Sequence, residues 1–351
     1  MDEAQSTNGK EFLYKKGVSI YKKNSKMNLE EIRNLIEERI LPLIDRDYVF
    51  LDLPYHPNVG DTLIACAVES LLKKLPYHCL YRSSEYTFDD REIPSDVLII
   101  FNGGGNFGDL WLNYTVFRNK IIKKYPQNKF LILPQSVYYR EDNNLLSDVE
   151  IYSKCGKSIT ICARDHISYN LLARNFVENN IILVPDLAFY TDTIYLKKSP
   201  RTNRVLFLKR NDVEFLDSSC YSIVPKGSEV HDWPTLEFFW WIQNKYVAFK
   251  RYTLKKWYPR CLLHVEDWLW QKMILPYSLR SGIGLVNKYD SIYSTRLHAA
   301  IIGTLLGKDV YFFDNSYGKN YALYDTWLKD FSNVQFIRLS NDITNCPRAF
   351  K

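Results

Sequence analysis

At 351 residues with 46% apolar side chains, the chain is long enough to bury two cores of roughly 150 residues each and too apolar to be disordered. Its formal charge of +6, from 46 basic against 40 acidic residues with no concentrated basic run, excludes an electrostatic nucleic-acid binder and points to anionic small molecules or membrane headgroups. Seven cysteines without a CxxC pair indicate neither a disulfide framework nor a zinc site, and six histidines without HExxH spacing argue against a metal enzyme.

In chain order, residues 1–25 form a polar lead, expected to be poorly ordered and lacking the apolar core of a signal peptide. No run of the roughly 18 apolar residues that a bilayer span needs occurs anywhere, so the chain is read as cytoplasmic. NLEEIRNLIEERILPLI carries apolar residues at helical spacing behind a capping Asn. Short apolar strands then alternate with helices: YVFLDLP, helix TLIACAVESLLKKL, VLIIFN, helix FRNKIIKKY, KFLILPQS, helix HISYNLLARNF, IILVPDLAF. This alternation predicts a doubly wound parallel sheet. RVLFLKR opens a second, smaller α/β unit that closes with a tryptophan-bearing helix, YALYDTWLKDF. The join is expected in the polar stretch near 192–203, giving an N-terminal domain over 26–195, a C-terminal domain over 203–335 and a tail over 336–351. The cleft between two such domains is the default ligand site.

Four segments carry candidate chemistry. HPNVGDTLI puts Asn58, Gly60 and Asp61 in a strand-to-helix turn, where Asn58 and Gly60 could make the turn and Asp61 cap the helix, or all three could meet a ligand. NGGGNFGDLW has GxGxxG spacing, yet the next strand ends in Pro, Gln and Ser rather than the acid a nicotinamide ribose needs. That disfavours NAD and leaves a loop of Asn102, Gly103, Gly104, Gly105, Asn106 and Asp109 suited to sugar hydroxyls. In ITICARDHI, Arg164 follows a buried strand, where it reads either as a solvated surface arginine or as a guanidinium placed at the cleft edge to bind a carboxylate or phosphate, and Asp165 either joins it or caps the next helix. In YDSIYSTRLHAAIIGTLLGKDVYFFDNSYGKN, Arg296 and His298 stand at a helix mouth, with Asn315, Ser316 and Lys319 in a later turn.

Together, NVGDTLI, NGGGNFGDLW, ARDHISYNLL and STRLHAAIIGTLLGKDVYFFDNSYGKN resemble the polysaccharide pyruvyl transferase family, in order, over about residues 50–190 and 280–330. The resemblance implies two Rossmann-like domains in the architecture of GT-B glycosyltransferases, with the acceptor on the N-terminal side and phosphoenolpyruvate on the C-terminal side of the cleft. The family's RD motif falls on Arg164 and Asp165 and its RLH motif on Arg296, Leu297 and His298. Arg164 and Arg296 are thereby expected to hold the donor and His298 to act as general acid. The donor is a substrate and no further cofactor or metal is implied. The acceptor is a surface polysaccharide sugar, with an undecaprenyl-linked oligosaccharide as one form of it. A nucleotide-sugar glycosyltransferase is the rival on the same architecture. Residues 236–263, which interleave basic and aromatic side chains, match no family pattern and read as a helix docking on the inner leaflet, as a buried aromatic helix with a solvated basic face, or as a stacking platform for acceptor sugars.

Overall fold

The computed structural model describes residues 27–56, 58–90, 92–210, 223–234 and 260–337. The lead over 1–25, the aromatic and basic segment up to 259, and the tail from 338 lie outside them. Helix α1 (Leu29–Ile40) starts at a capping box in which the Asn28 carboxamide accepts the Glu31 N–H and the Glu31 carboxylate accepts that of Asn28. It buries Ile32, Leu35, Ile36 and Ile40, one helical face.

The first sheet is parallel throughout. Strands β1 (Tyr48–Leu51), β2 (Cys79–Arg82), β3 (Leu98–Phe101), β5 (Lys129–Tyr138), β6 (Ile159–Ala163) and β7 (Asn180–Leu183) lie in the order β2-β1-β3-β5-β6-β7, and β4 (Gly104–Gly108) pairs with the far end of β5. Strands β1 and β3 are buried along their whole length, as a sheet covered on both faces requires. One face packs α3 (Leu112–Lys124), α4 (Asp142–Ser153) and α5 (His166–Asn175) over Ile99, Phe101, Phe130 and Ile161. The other packs α1 and α2 (Val59–Leu72). The second sheet, also parallel, runs β12-β11-β10-β8-β9 from strands β8 (Val205–Leu208), β9 (Glu229–His231), β10 (Ser291–Ser294), β11 (Asp309–Phe313) and β12 (Val334–Ile337). A single apolar cluster joins the two: α2 abuts helices Leu275–Asn287 and Leu297–Leu305, with Val59 filling the space beside Gly282. The α/β class and the parallel sheets agree with the sequence reading.

Several local expectations change. The glycine stretch is strand β4, because β5 is ten residues long, overhangs four- and five-residue neighbours, and leaves backbone groups for β4 to pair. Gly108, at φ +110, is required there: a Cβ would lie 1.9 Å from the Tyr138 carbonyl oxygen. The strand expected over IILVPDLAF stops at Leu183, since Pro185 has no N–H for the ladder, and Asp186 instead caps a 3-10 turn, Leu187–Tyr190. The tryptophan-bearing helix is one α-turn, Lys319–Leu323, continued by a π-turn, Tyr324–Leu328. Phe336 and Ile337 belong to β12, not to a tail. Strand β2, helix α4 and strands β9 and β12 were not foreseen, their short or weakly periodic sequences carrying little signal.

Candidate functional site

Parallel strands deliver their following residues to one edge, and here both sheets aim that edge at a common cavity of about 340 Å³. The first half lines it with Asn58, Asp61, Gly105, Asn106 and Arg164, the second with Arg210, Arg296, Leu297, His298 and Lys319. Four basic side chains, Arg164, Arg210, Arg296 and Lys319, thus reach the wall, and Asp61 is the carboxylate that lines it with them. The electrostatics favour a multiply charged anion.

Arg164, directly after β6, is almost fully buried. Its Nη1 bonds Oδ2 of Asp186 at 2.7 Å and its Nε donates to Oγ of Ser136 at 2.8 Å, while Nη2 points at the cavity beside Gly105. The carbonyl of Arg164 accepts the indole N–H of Trp327, so a residue from the second half fixes this strand end. Burial pushes the Asp186 carboxyl up, but the Arg164 guanidinium, His298 and the Ala188 N–H outweigh it and hold the group well below the usual carboxylate range. The same oxygen of Asp186 lies 3.6 Å from Nε2 of His298, an electrostatic contact beyond hydrogen-bond reach. Nε2 is buried without a hydrogen-bond partner, an unsatisfied position that a substrate can fill.

His298 sits in the first turn of helix Leu297–Leu305. Its ring occupies the space above Gly60, in the first turn of α2. Arg296, just before the helix, grips Asp232 with both prongs, Nε to Oδ1 at 2.8 Å and Nη2 to Oδ2 at 2.7 Å. The expectation that its fork is free for an anion is therefore corrected: a bidentate partner already holds it, although it still lines the cavity.

The β4 strand is anchored from beneath. Arg118 donates to the side chain and the carbonyl of Asn106 and pairs with Asp52, both ions being fully buried. Asp52 is held at φ +66, a conformation that costs about 1 kcal/mol or more outside glycine. Burial pushes its carboxyl up to about 7 against the pull of Arg118. This pair places Gly105 and Asn106 at the cavity wall.

Of the residues singled out in the sequence, Asn58, Asp61, Gly105, Asn106, Arg164, Arg296, Leu297, His298 and Lys319 line the cavity, and Gly60 touches it through His298. Asn58, not Asp61, caps α2, its carboxamide accepting the Gly60 N–H. The others are not brought to the cavity. Asp165 caps α5 through Ser168 and accepts from Ser136. Asp109 is spent on the N–H groups of Arg140 and Glu141. The Asn102 carbonyl takes the amide of Gln135 beneath the sheet, and Gly103 lets the backbone pass Pro134. Gly104, at φ +148, lies beside Asp61. Asn315 caps the Lys319 turn and Ser316 faces solvent.

Sequence reasoning missed Asp186, although VPDLAF follows β7 as ARD follows β6 and the same strand-end rule marks it. It also missed Arg210 after β8 and Asp232 after β9. His56, Tyr86, Trp111, Asn113, Tyr114 and Trp233 complete the wall with an aromatic side, and no local signal distinguishes them from core residues. Among the described residues no group of His, Cys, Asp or Glu could hold a metal ion.

The model of the polysaccharide pyruvyl transferase family matches residues 58–317, which include the cavity from Asn58 to His298 and exclude His56 and Lys319. The chain is 29% identical over 309 residues to EpsO of Bacillus subtilis (strain 168), to which a pyruvyl transferase activity is ascribed; the match covers 86% of this chain and 91% of that one. It is also 29% identical over 303 residues to Pyruvyl transferase 1 of Schizosaccharomyces pombe, covering 79% of this chain and 69% of that one. The crystal structure of an uncharacterized protein from Klebsiella pneumoniae subsp. pneumoniae NTUH-K2044 shares the fold, with a TM-score of 0.60 at 20% identity over 88% of this chain and 99% of that one.

Proposed function

The chain belongs to the polysaccharide pyruvyl transferase family, and on that premise we propose that it takes the pyruvyl group from phosphoenolpyruvate and builds a cyclic ketal on two hydroxyls of one sugar. The observation that carries the donor is the cationic lining: Arg164, Arg210, Arg296 and Lys319 all reach the cavity, with Asp186 and Asp232 holding Arg164 and Arg296 in place. A molecule bearing both a phosphate and a carboxylate suits that lining. The cleft between the two sheets, in the manner of GT-B enzymes, then takes the donor on the Arg296 and Lys319 side and the acceptor against the aromatic wall.

Arg164 offers Nη2 to the donor while Asp186 and Ser136 keep its plane fixed. His298 protonates the methylene carbon, leaving an oxocarbenium-like C2 that the first hydroxyl attacks. The C2–O bond to phosphate breaks and the second hydroxyl closes the ring. Of the two hydroxyl protons released, one balances the proton placed on the methyl carbon and the other leaves on phosphate. Because phosphoenolpyruvate is a cytoplasmic metabolite, this reaction belongs to the cytoplasm, with the growing polysaccharide or its lipid-linked precursor as acceptor.

Phosphate release from phosphoenolpyruvate by the purified chain, over a panel of galactose- and mannose-type acceptors, tests this. Acceptor-dependent release that His298→Ala abolishes is expected. Turnover of a nucleotide sugar with no phosphoenolpyruvate consumption would instead make the chain a glycosyltransferase.

A further inference from the structure

Helix Arg260–Leu269 continues through a π-turn, Trp270–Ile274, into helix Leu275–Asn287, and this rod is built inside out. Its two carboxylates face inward: Glu266 and Asp267 are buried, and Asp267 accepts the hydroxyl of Thr87 at 2.7 Å. Trp270 stacks on Tyr55 with ring centroids 5.1 Å apart, and Gln271 donates to the Tyr55 hydroxyl. Outward point Val265, Trp268, Leu269, Met273 and Tyr277, each between 40% and 56% exposed. A π-turn takes one residue more than an α-turn, which brings Met273 and Tyr277 back to the face of Val265 and Trp268. The exposed ionisable residues interleaved with them, His264, Lys272 and Arg280, are all basic.

We propose that this outer face docks on an anionic lipid surface. Apolar and aromatic residues interleaved with Lys272 and Arg280, on a rod whose own acids are turned inward, suit the headgroup boundary, whereas a surface meant for water would carry acids outward. The chain leading into the rod continues the pattern, since residues 238–263 contain six Lys or Arg, several aromatics and no acid. Charge thus selects lipid over a second copy of the chain, which would bring the same cations against their like. Among the described residues no helix is long and apolar enough to cross a membrane, so the contact is peripheral. Through Thr87 and Tyr55 the rod is bonded to the first half of the molecule, whose neighbouring Tyr86 lines the cavity. Docking on this face would hold the cavity beside a lipid-carried sugar. Docking is independent of the donor assignment, because vesicle flotation reads the one and phosphate release the other.

The test is flotation of the full chain with phosphatidylglycerol-containing vesicles and with pure phosphatidylcholine vesicles. Binding to the anionic vesicles that weakens with salt is expected. Lys272→Ala and Arg280→Ala each weaken it roughly fivefold, and Trp268→Ser with Met273→Ser weakens it about tenfold or more. None of these should alter phosphate release with a soluble acceptor. No flotation with anionic vesicles, or flotation unchanged in all the variants, overturns the proposal. So does a concentration-dependent dimer, without lipid binding, that Trp268→Ser with Met273→Ser dissociates; that result gives the face to a second copy.

Discussion

A Cβ on Gly60 would lie 2.1 Å from Nδ1 of His298. The first turn of α2 therefore serves as the floor of the imidazole, and the missing side chain of one half of the molecule sets the position of His298 in the other. Helix propensity alone would favour alanine at this position, so steric demand from His298 decides it. Gly60→Ala is expected to displace the ring and lower kcat by about a hundredfold, the low end of what a placed general acid contributes. The melting temperature and kcat measured together separate this from unfolding, since only kcat should fall steeply.

Arg164 and Asp186 form a buried pair, and removing one member leaves the other charged and dry. Asp186→Ala is expected to destabilise the fold by about 3–5 kcal/mol, read by denaturant unfolding. Arg164→Lys keeps the charge but loses the planar fork that joins Asp186, Ser136 and the cavity. It should raise the KM for phosphoenolpyruvate at least tenfold with a smaller loss of stability. An unchanged KM would remove Arg164 from the donor site.

The depressed Asp186 carboxyl also predicts a pH dependence. The unfolded chain takes up this proton near pH 4 while the folded chain resists it, so acid favours the unfolded state. The stabilisation is complete above about pH 4 and is lost as pH falls toward the folded value. Unfolding free energies measured across the acid range should show this slope in the wild type. Asp186→Asn should flatten it.

Trp111, more than a third exposed at the rim of the cavity, offers an indole face to a sugar ring. Trp111→Ala is expected to raise the acceptor KM by about fivefold to tenfold and leave the phosphoenolpyruvate KM unchanged. Equal effects on both would place Trp111 against the donor.

The alternation of short apolar strands with helices was enough to read two parallel sheets, because a strand buried on both faces must be continuously apolar. The strand-end rule likewise located Arg164, Arg296 and His298 from sequence order alone. It could not say which polar side chains at those ends face outward. Asp109, Asp165 and Asn315 are as polar as Asp61 and Asn106, yet they satisfy backbone N–H groups of the chain itself. Local sequence carries the demand for a cap; it does not carry the choice of which residue meets it.

What the sequence by itself determined is the class of fold, the strand ends where chemistry gathers and the types of residue found there, since these follow from periodicity and from short-range sterics. Only the tertiary structure decided the partnerships: Asp186 with Arg164, Asp232 with Arg296, Arg118 with Asp52 beneath Asn106, and Gly60 under His298. Each joins residues far apart in the chain, and what selects it is the cost of burying an unpaired charge or overlapping two atoms. That cost exists only once the chain has packed around each pair, within one half for the ion pairs and between the halves for Gly60 and His298.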